Sequence, residues 1–257
     1  MNAKLRSLLL GSLGLLFALG IWEVMGRRLG DGLVAPPSGV VIDLFAFLRD
    51  QAALDAIFSS IIPMLVGFLL SCIVGMPLGV AMGRSKTIFA VLDPWVSLFV
   101  VTSVAAIVPI LMMLIGNAFW FQVSVVVVSS IWFVVLTMQS GSKRIDRRWL
   151  DVGRSFGASD LRAFFTIMLP ALFPYMLAAA RIGLIHAIRS MILAQLFIVT
   201  GVGGLLHYAG MEISTARLMS VMLVIVFLGL LANFGLTMVA RLTAPWHDQI
   251  RERDAHT

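Results

Sequence analysis

A stretch of 49 consecutive residues, 94–142, contains no Asp, Glu, Lys or Arg. A helix needs about 20 predominantly apolar residues to cross a bilayer, so this stretch is long enough for two crossings. Over the whole chain 60% of the residues are hydrophobic and 12% are charged, which is far from the balance of a soluble domain of 257 residues. The sequence therefore predicts an all-α, polytopic membrane protein.

Six apolar segments are predicted to span the membrane. They cover residues 8–25, residues 57–82, the two halves of residues 94–142 with a reversal near Gly116 and Asn117, residues 173–199 and residues 218–239. Within the second span, Gly67, Gly75 and Gly79 are small enough to let a neighbouring helix approach closely.

The segments between the spans are shorter and more polar. Residues 36–39 (Pro-Pro-Ser-Gly) predict a turn, and residues 40–49 predict a short amphipathic helix at the membrane surface. Residues 200–204 (Thr-Gly-Val-Gly-Gly) are expected to break the chain after the fifth span. We divide the chain into an N-terminal transmembrane helix (1–29), a transmembrane domain (30–245) with a charged loop at 143–170, and a tail (246–257).

The distribution of basic residues predicts the orientation. Six spans place both termini on one side, and that side receives 13 of the 19 lysines and arginines. These are Lys4, Arg6, Arg84, Lys86, Lys143, Arg144, Arg147, Arg148, Arg154, Arg162, Arg241, Arg251 and Arg253. Because short loops rich in lysine and arginine stay in the cytoplasm, we expect both termini and the charged loop to be cytoplasmic. Membrane orientation therefore explains the net charge of +6 without a nucleic-acid partner.

The charged loop is predicted to form two short helices at an angle. Residues 147–156 form the first, Gly157 and Ala158 break it, and Ser159 caps a second helix that runs through Phe165. A hydrophobic edge is expected from Leu150, Phe156, Leu161, Phe164 and Phe165. Such a knob suits docking into a groove on a soluble partner, but an interfacial connector held at lipid headgroups by its arginines explains the pattern equally well.

Motifs in the charged loop and elsewhere in the chain carry a family resemblance. The residues Asp151, Val152, Gly153, Gly157 and Ala158, followed by Phe165, Ile167, Leu169 and Pro170, resemble the Glu-Ala-Ala loop of binding-protein-dependent ABC importer permeases. The segments at 35–38 (Ala-Pro-Pro-Ser), 75–79 (Gly-x-Pro-Leu-Gly) and 201–203 (Gly-Val-Gly) are similar to the branch that imports nitrate, sulfonates and taurine. The chain is thus identified as a member of this permease family, with a type I importer fold.

The resemblance implies a division of labour among subunits. Two permease subunits, alike or different, form the pathway. Cytoplasmic ATP-binding subunits drive it, and an external binding protein delivers a small anionic solute such as a sulfonate, nitrate or taurine. The loop residues named above would seat in the ATPase and couple it to the helices. No Walker lysine motif occurs in this sequence, so ATP is expected to be used by the partner and no cofactor is expected here. Gly153 stands where the family has alanine. Glycine in place of alanine inside a helix costs about 1 kcal/mol, so the first helix of the loop is predicted to be looser.

Polar residues in the fifth span are the candidates for the translocation path. His186 and Arg189 share one helical face, and Gln195, where the family often has glutamate, is the third candidate. Buried cations usually face a bundle interior or an aqueous path, and a guanidinium would bind an anionic solute. The alternative is that His186 only contacts a neighbouring helix, and that Arg181 snorkels or caps helix carbonyls.

Two other classes of function are open to a polytopic chain of this kind. In a stand-alone secondary transporter, the intramembrane groups would relay protons and the charged loop would bind nothing. An enzyme would need a nucleophile with its base, or a metal cluster; the four histidines are scattered over separate segments, so neither catalytic nor metal-binding residues are expected. Membrane lipid is the remaining expected partner.

Overall fold

The computed structural model describes residues 3–30, 33–116, 119–146 and 148–243. Within these ranges all regular structure is helical and no strand occurs, which confirms the all-α prediction. The α-helices are α1 (Ala3–Leu29), α2 (Pro37–Phe47), α3 (Gln51–Arg84), α4 (Lys86–Val101), α5 (Val104–Ile115), α6 (Phe119–Arg144), α7 (Arg148–Ser155), α8 (Asp160–Ala163), α9 (Leu169–Ile198), α10 (Gly201–Met211) and α11 (Thr215–Thr243). A π-helical turn, Phe164–Met168, joins α8 to α9. The predicted tail at 246–257 lies outside the described residues.

Four helical segments of the described chain are long and apolar enough to cross a bilayer by themselves. They are Gln51–Arg84, Phe119–Arg144, Asp160–Ile198 and Thr215–Met238. A fifth crossing results if α4 and α5, which are bent by 102° relative to one another, form one span. These five coincide with the second to sixth predicted spans. The first predicted span falls on α1 and stays a prediction.

Helices α3 and α6 pack against each other along a row of small residues. The facing pairs are Gly67 with Val126, Ser71 with Ser130, Gly75 with Val134, Gly79 with Met138 and Gly83 with Ser142. Each glycine lies so close to α6 that an added Cβ would meet it at 3.2 Å or less. The predicted close approach at the three glycines of the second span is therefore confirmed. Since both members of successive pairs advance by four residues, α3 and α6 run parallel.

The parallel direction of α3 and α6 fixes the role of the bent pair. The contact between the two helices covers about 16 residues, or about 24 Å. The chain that leads from the end of α3 to the start of α6 must return over this length. Helices α4 and α5 are the elements that make this return, so they act as a broken span. The helix of this span is interrupted at a point that the sequence analysis did not predict, because Thr102 adopts an extended conformation and its hydroxyl donates to the Leu98 carbonyl. As predicted, the chain turns at Gly116, whose φ is +78°.

Contacts group the chain into two compact units. One contains residues 1–60 and Ile198–Leu228, and the other contains Ile61–Phe197 and the residues from Gly229 onward. The core of the second unit lies between α6 and α9, where Val134, Leu172 and Ala179 are fully buried. The predicted domain boundaries stay a prediction.

Helix α2 belongs to the first unit and is apolar apart from Ser38 and Asp43. Pro37 occupies its first turn, as the Pro-Pro pair favours. The charged Asp43 pairs with Arg217 of α11 at 3.4 Å, while Ile42 and Phe45 are exposed. The predicted short helix is confirmed, but it is apolar and not amphipathic, because Asp43 pairs with an arginine and large apolar side chains are exposed. Its location at the membrane surface stays a prediction.

The break after the fifth span is shorter than predicted. Val199 and Gly201 have positive φ angles, and α10 starts at Gly201 itself. The amide of Val202 donates to the Ser60 hydroxyl at 3.0 Å, which satisfies one of the free amides at the start of this helix. The predicted break is thus confined to residues 199–201, and the glycines at 203 and 204 are helical.

Candidate coupling and translocation sites

The charged loop folds into two short helices joined at Gly157. Helix α7 ends with two hydrogen bonds of a Schellman motif, from the Ala158 amide to the Gly153 carbonyl and from the Gly157 amide to the Arg154 carbonyl. Gly157 has φ +80°, which a residue with a side chain rarely adopts. Ser159 then caps α8 by accepting from the Arg162 amide. The two predicted helices, their break and the cap are confirmed; Arg147, the predicted first residue, lies outside the described residues.

Arg154 ties the two helices together across the turn. Its Nε lies 2.8 Å from a carboxylate oxygen of Asp160, and its Nη1 lies 3.2 Å from one of Asp151. All three side chains are more than half exposed, so each ion pair contributes at most about 1 kcal/mol to stability. The network therefore orients α7 and α8 more than it stabilises them.

The second helix of the loop does not end at Phe165, as was predicted. The chain continues from α8 through the π-helical turn into α9, so that Leu169 and Pro170 are the first residues of α9. This continuity physically connects the loop to the membrane span, because residues 160–198 form one helical segment.

Gly153 allows α7 to lie on the chain that leads into α9. It is buried, and a Cβ at this position would lie 2.6 Å from Cδ1 of Ile167. The glycine that lowers helix propensity therefore lets α7 pack closely. The prediction of a looser first helix considered only propensity and omitted this contact.

The loop exposes several large apolar side chains among its charged ones. Phe156 is 88% exposed at the end of α7, and Trp149, Leu161 and Phe165 are also exposed. Trp149, Phe156, Gly157 and Ala158 help to line a groove of about 440 Å³. Of the five residues predicted to form a hydrophobic edge, Phe156, Leu161 and Phe165 are exposed. Leu150 and Phe164 pack inward, so the prediction is only partly right.

The three translocation candidates divide between two sides of α9. His186 is half-buried and its ring stacks on Phe133 of α6, with 3.6 Å between centroids. Arg189, one turn later, is exposed on the second unit. Gln195 is 1% exposed, and its amide donates to the Gln122 side-chain carbonyl at 3.2 Å. The structure thus brings His186 and Arg189 near one another and directs Gln195 into the helix bundle.

Other polar contacts inside the second unit were not foreseen. Gln122 was overlooked because it lies in an uncharged run, although an amide there was the available signal. Arg181, the alternative cation of α9, donates to Thr237 of α11 at 3.4 Å. Arg84, at the end of α3, donates to the Ile145 carbonyl and to the Met168 sulfur. In the part of the chain that the structure describes, no three His, Cys, Asp or Glu side chains are grouped to hold a metal ion.

The fold and the charged loop together show the class of this protein. It is a multi-pass α-helical membrane protein in which a helical loop leads into a transmembrane helix. Within this class, the chain belongs to the family described as "Binding-protein-dependent transport system inner membrane component", whose model matches residues 75–248. It is accordingly a multi-pass inner-membrane protein of the ABC importer permeases and not an enzyme.

Individual relatives agree with this assignment. The chain is 25% identical over 252 residues to the taurine transport system permease protein of Escherichia coli K12, covering 95% of this chain and 91% of the relative. It is 26% identical over 193 residues to the nitrate import permease protein of a Synechocystis strain, covering 72% and 70%. It is 24% identical over 247 residues to a bicarbonate transport system permease protein of Synechocystis, covering 90% and 87%.

A solved structure has the same fold. A chain of the MetNI methionine ABC transporter, in inward-facing conformations, matches with a TM-score of 0.66 and 16% identity, covering 74% of this chain and 94% of that chain. The predicted type I importer architecture is thereby confirmed. Family membership also favours the importer over the stand-alone proton-coupled transporter.

Proposed function

We propose that this chain forms the translocation pathway of an ABC importer and is driven by a cytoplasmic ATP-binding subunit that docks on α7 and α8. The exposed apolar surface around Phe156 carries this proposal, because an apolar anchor ringed by charges is typical of a docking surface. Asp151, Gly153, Gly157 and Ala158 shape this surface, and Phe165, Leu169 and Pro170 continue it into α9. Rigid-body movement of the ATPase would then shift α9.

The other subunits follow from the family's description as one component of a binding-protein-dependent system. A second permease, identical or similar, completes the pathway, and an external binding protein delivers the solute. ATP is consumed by the partner, since this sequence has no Walker lysine motif. Both termini and the loop face the cytoplasm, an orientation supported by the excess of lysine and arginine on that side.

The solute is proposed to be small and to carry an oxyanion group. The relatives are named for taurine, nitrate and bicarbonate, which all carry one. Arg189 presents a guanidinium on α9, and His186 lies on the same helical face. A guanidinium forms charge-assisted hydrogen bonds to such groups, and membrane-buried cations usually line a path. Gln195 is proposed to hold α9 against α6 beside this path.

Replacing Gly157 with valine tests the docking surface through its geometry. No atom lies within 4 Å of an added Cβ, so the substitution acts on the backbone alone. A left-handed conformation costs an L-residue about 1–2 kcal/mol, which predicts roughly 5- to 30-fold less ATPase retained by the permease purified in mild detergent. Quantitative mass spectrometry of the purified complex measures this.

The matched control for this experiment is Gly157→Asn, because asparagine tolerates positive φ. We expect it to retain the ATPase at nearly the native level. Retention of no ATPase by the native chain contradicts the importer proposal. Equal retention by the valine and native chains contradicts the proposed role of the turn.

Replacing Arg189 with glutamine is expected to reduce uptake of the transported oxyanion. Loss of a hydrogen bond to a charged group costs about 1.5–3 kcal/mol, or roughly 10- to 150-fold in uptake efficiency. Uptake of labelled taurine, nitrate and bicarbonate is measured in proteoliposomes that contain the complete complex. The matched control is Arg181→Gln on the same helix, whose arginine contacts Thr237. Unchanged uptake by the Arg189 variant contradicts a role in the path.

A further inference from the structure

An apolar cavity of about 530 Å³ lies between α3, α6 and the beginning of α9, at the end of the bundle that carries the charged loop. Four methionines, Met76, Met138, Met168 and Met176, form much of its wall. Arg84 is the one charged residue among the described residues that line it. Methionine side chains adapt their shape to flexible apolar ligands, and the volume is in the range of small-molecule sites.

A polar cleft of about 370 Å³ adjoins this cavity. It contains Asp151, Arg154 and Asp160, and it shares Arg84, Phe164 and Met168 with the apolar cavity. Arg84 is held at this boundary, because it donates to the Ile145 carbonyl at 3.1 Å and to the Met168 sulfur at 3.5 Å. One guanidinium thus stands where an apolar compartment meets a polar one.

Further cations lie at the same end of the bundle, outside the lining of the cavity. Gly83 packs on Ser142, so the ends of α3 and α6 are side by side. Lys143 and Arg144 follow on α6, where both are exposed, and the Lys143 ammonium lies 3.9 Å above the Phe89 ring. Among the described residues, Arg84 is thus the cation that meets the apolar interior, and Lys143 and Arg144 add positive charge nearby at this end of the bundle.

We propose that this cavity binds an anionic phospholipid, with an acyl chain between the methionines and the phosphate beside Arg84. Arg84 suits the headgroup, since basic pockets between transmembrane helices at the cytoplasmic side bind anionic headgroups. The apolar wall suits the acyl chain. A small oxyanion solute would satisfy the arginine but gain nothing from the apolar wall. The inference rests on the proposed function only for its cytoplasmic orientation.

The position of the site links it to the coupling loop. Phe164 and Met168, the two ends of the π-helical turn, both line the cavity. Such turns are frequent at functional sites, and this one joins the loop to α9. A lipid in the cavity therefore supports the segment through which loop movement reaches the membrane.

Native mass spectrometry of the full chain from nanodiscs tests the proposal. The nanodiscs contain equal parts of phosphatidylglycerol and phosphatidylcholine, and the readout is the lipid that stays bound after transfer to detergent. We expect preferential retention of phosphatidylglycerol. Arg84→Gln should lower it about fivefold, as expected for one interfacial cation. Ala81→Phe, which fills the cavity but keeps the arginine, should lower it more, since each buried methylene contributes roughly fourfold to affinity.

Controls separate this site from other basic or apolar surfaces. Arg144→Gln removes an exposed cation that does not line the cavity, and Ala178→Phe enlarges an exposed alanine of α9; both should retain lipid normally. Equal retention of the two lipids, or native retention by Ala81→Phe, overturns the proposal. Displacement of the lipid by inorganic phosphate alone also overturns it, because the acyl chain would then contribute nothing. Since retention is measured on the permease itself, the result does not depend on ATPase coupling.

Discussion

Phe156→Asp is expected to abolish ATP-driven uptake while leaving the amount of folded permease unchanged. Phe156 is 88% exposed beside the apolar groove of the loop, so its replacement removes no internal packing of the described chain. Loss of a central apolar anchor costs an interface about 2–4 kcal/mol, or roughly 30- to 1,000-fold in affinity, and an introduced carboxylate adds a desolvation cost. Uptake by the reconstituted complex and ATPase retained on the permease are both measured.

Ser155→Asp is the matched control for this variant. It adds the same charge one residue earlier, on an exposed side chain of α7, and leaves the aromatic ring in place. We expect the control to keep most of its uptake. An aspartate at 156 that still retains the ATPase at native affinity would show that the apolar surface of the loop is not the docking surface.

The helix ends in the loop were predictable because short-range chemistry determines them. Gly157 can adopt the positive φ that closes a Schellman motif, and Ser159 carries the hydroxyl that caps the next helix. Both signals lie within four residues of the groups that they satisfy. The same holds for Gly116, which ends α5.

Contacts between distant segments were less accessible. Leu150 and Phe164 have the hydrophobicity of the exposed edge, but both pack on the core formed by α6 and α9. Gln122 meets Gln195 across 73 residues of sequence. The sequence of a single helix does not show which of its polar residues will have such a partner, because the packing of the helices determines the partner.

Helix breaks without glycine or proline were also missed. The sequence around Thr102 and Ser103 continues an apolar run, and the hydroxyl bond to the Leu98 carbonyl is only one of the conformations open to a threonine. The need for a return between parallel α3 and α6 selects the bent arrangement. That need is visible only once the row of small residues on α3 is paired with α6.

The row of small residues on α3 gives the largest expected effect on folding. An added Cβ at Gly79 would lie 2.5 Å from the Val135 carbonyl oxygen and 2.6 Å from the Met138 Cβ. The first of these atoms belongs to a helix backbone, which cannot shift by itself. Gly79→Val is therefore expected to cost about 3 kcal/mol, the upper part of the usual range for overpacking, and to reduce the yield of monodisperse protein several-fold.

Gly235→Val is the matched control, because Gly235 is exposed in α11 and no atom lies within 4 Å of an added Cβ. Both substitutions place the same β-branched side chain in a transmembrane helix, so any difference in yield reports on packing and not on helix propensity. Yield is measured by size-exclusion chromatography in mild detergent. If the two variants are equally abundant and equally stable to heat, α3 and α6 do not approach as closely as this row of contacts requires, and the parallel pairing that makes α4 and α5 a broken span loses its support.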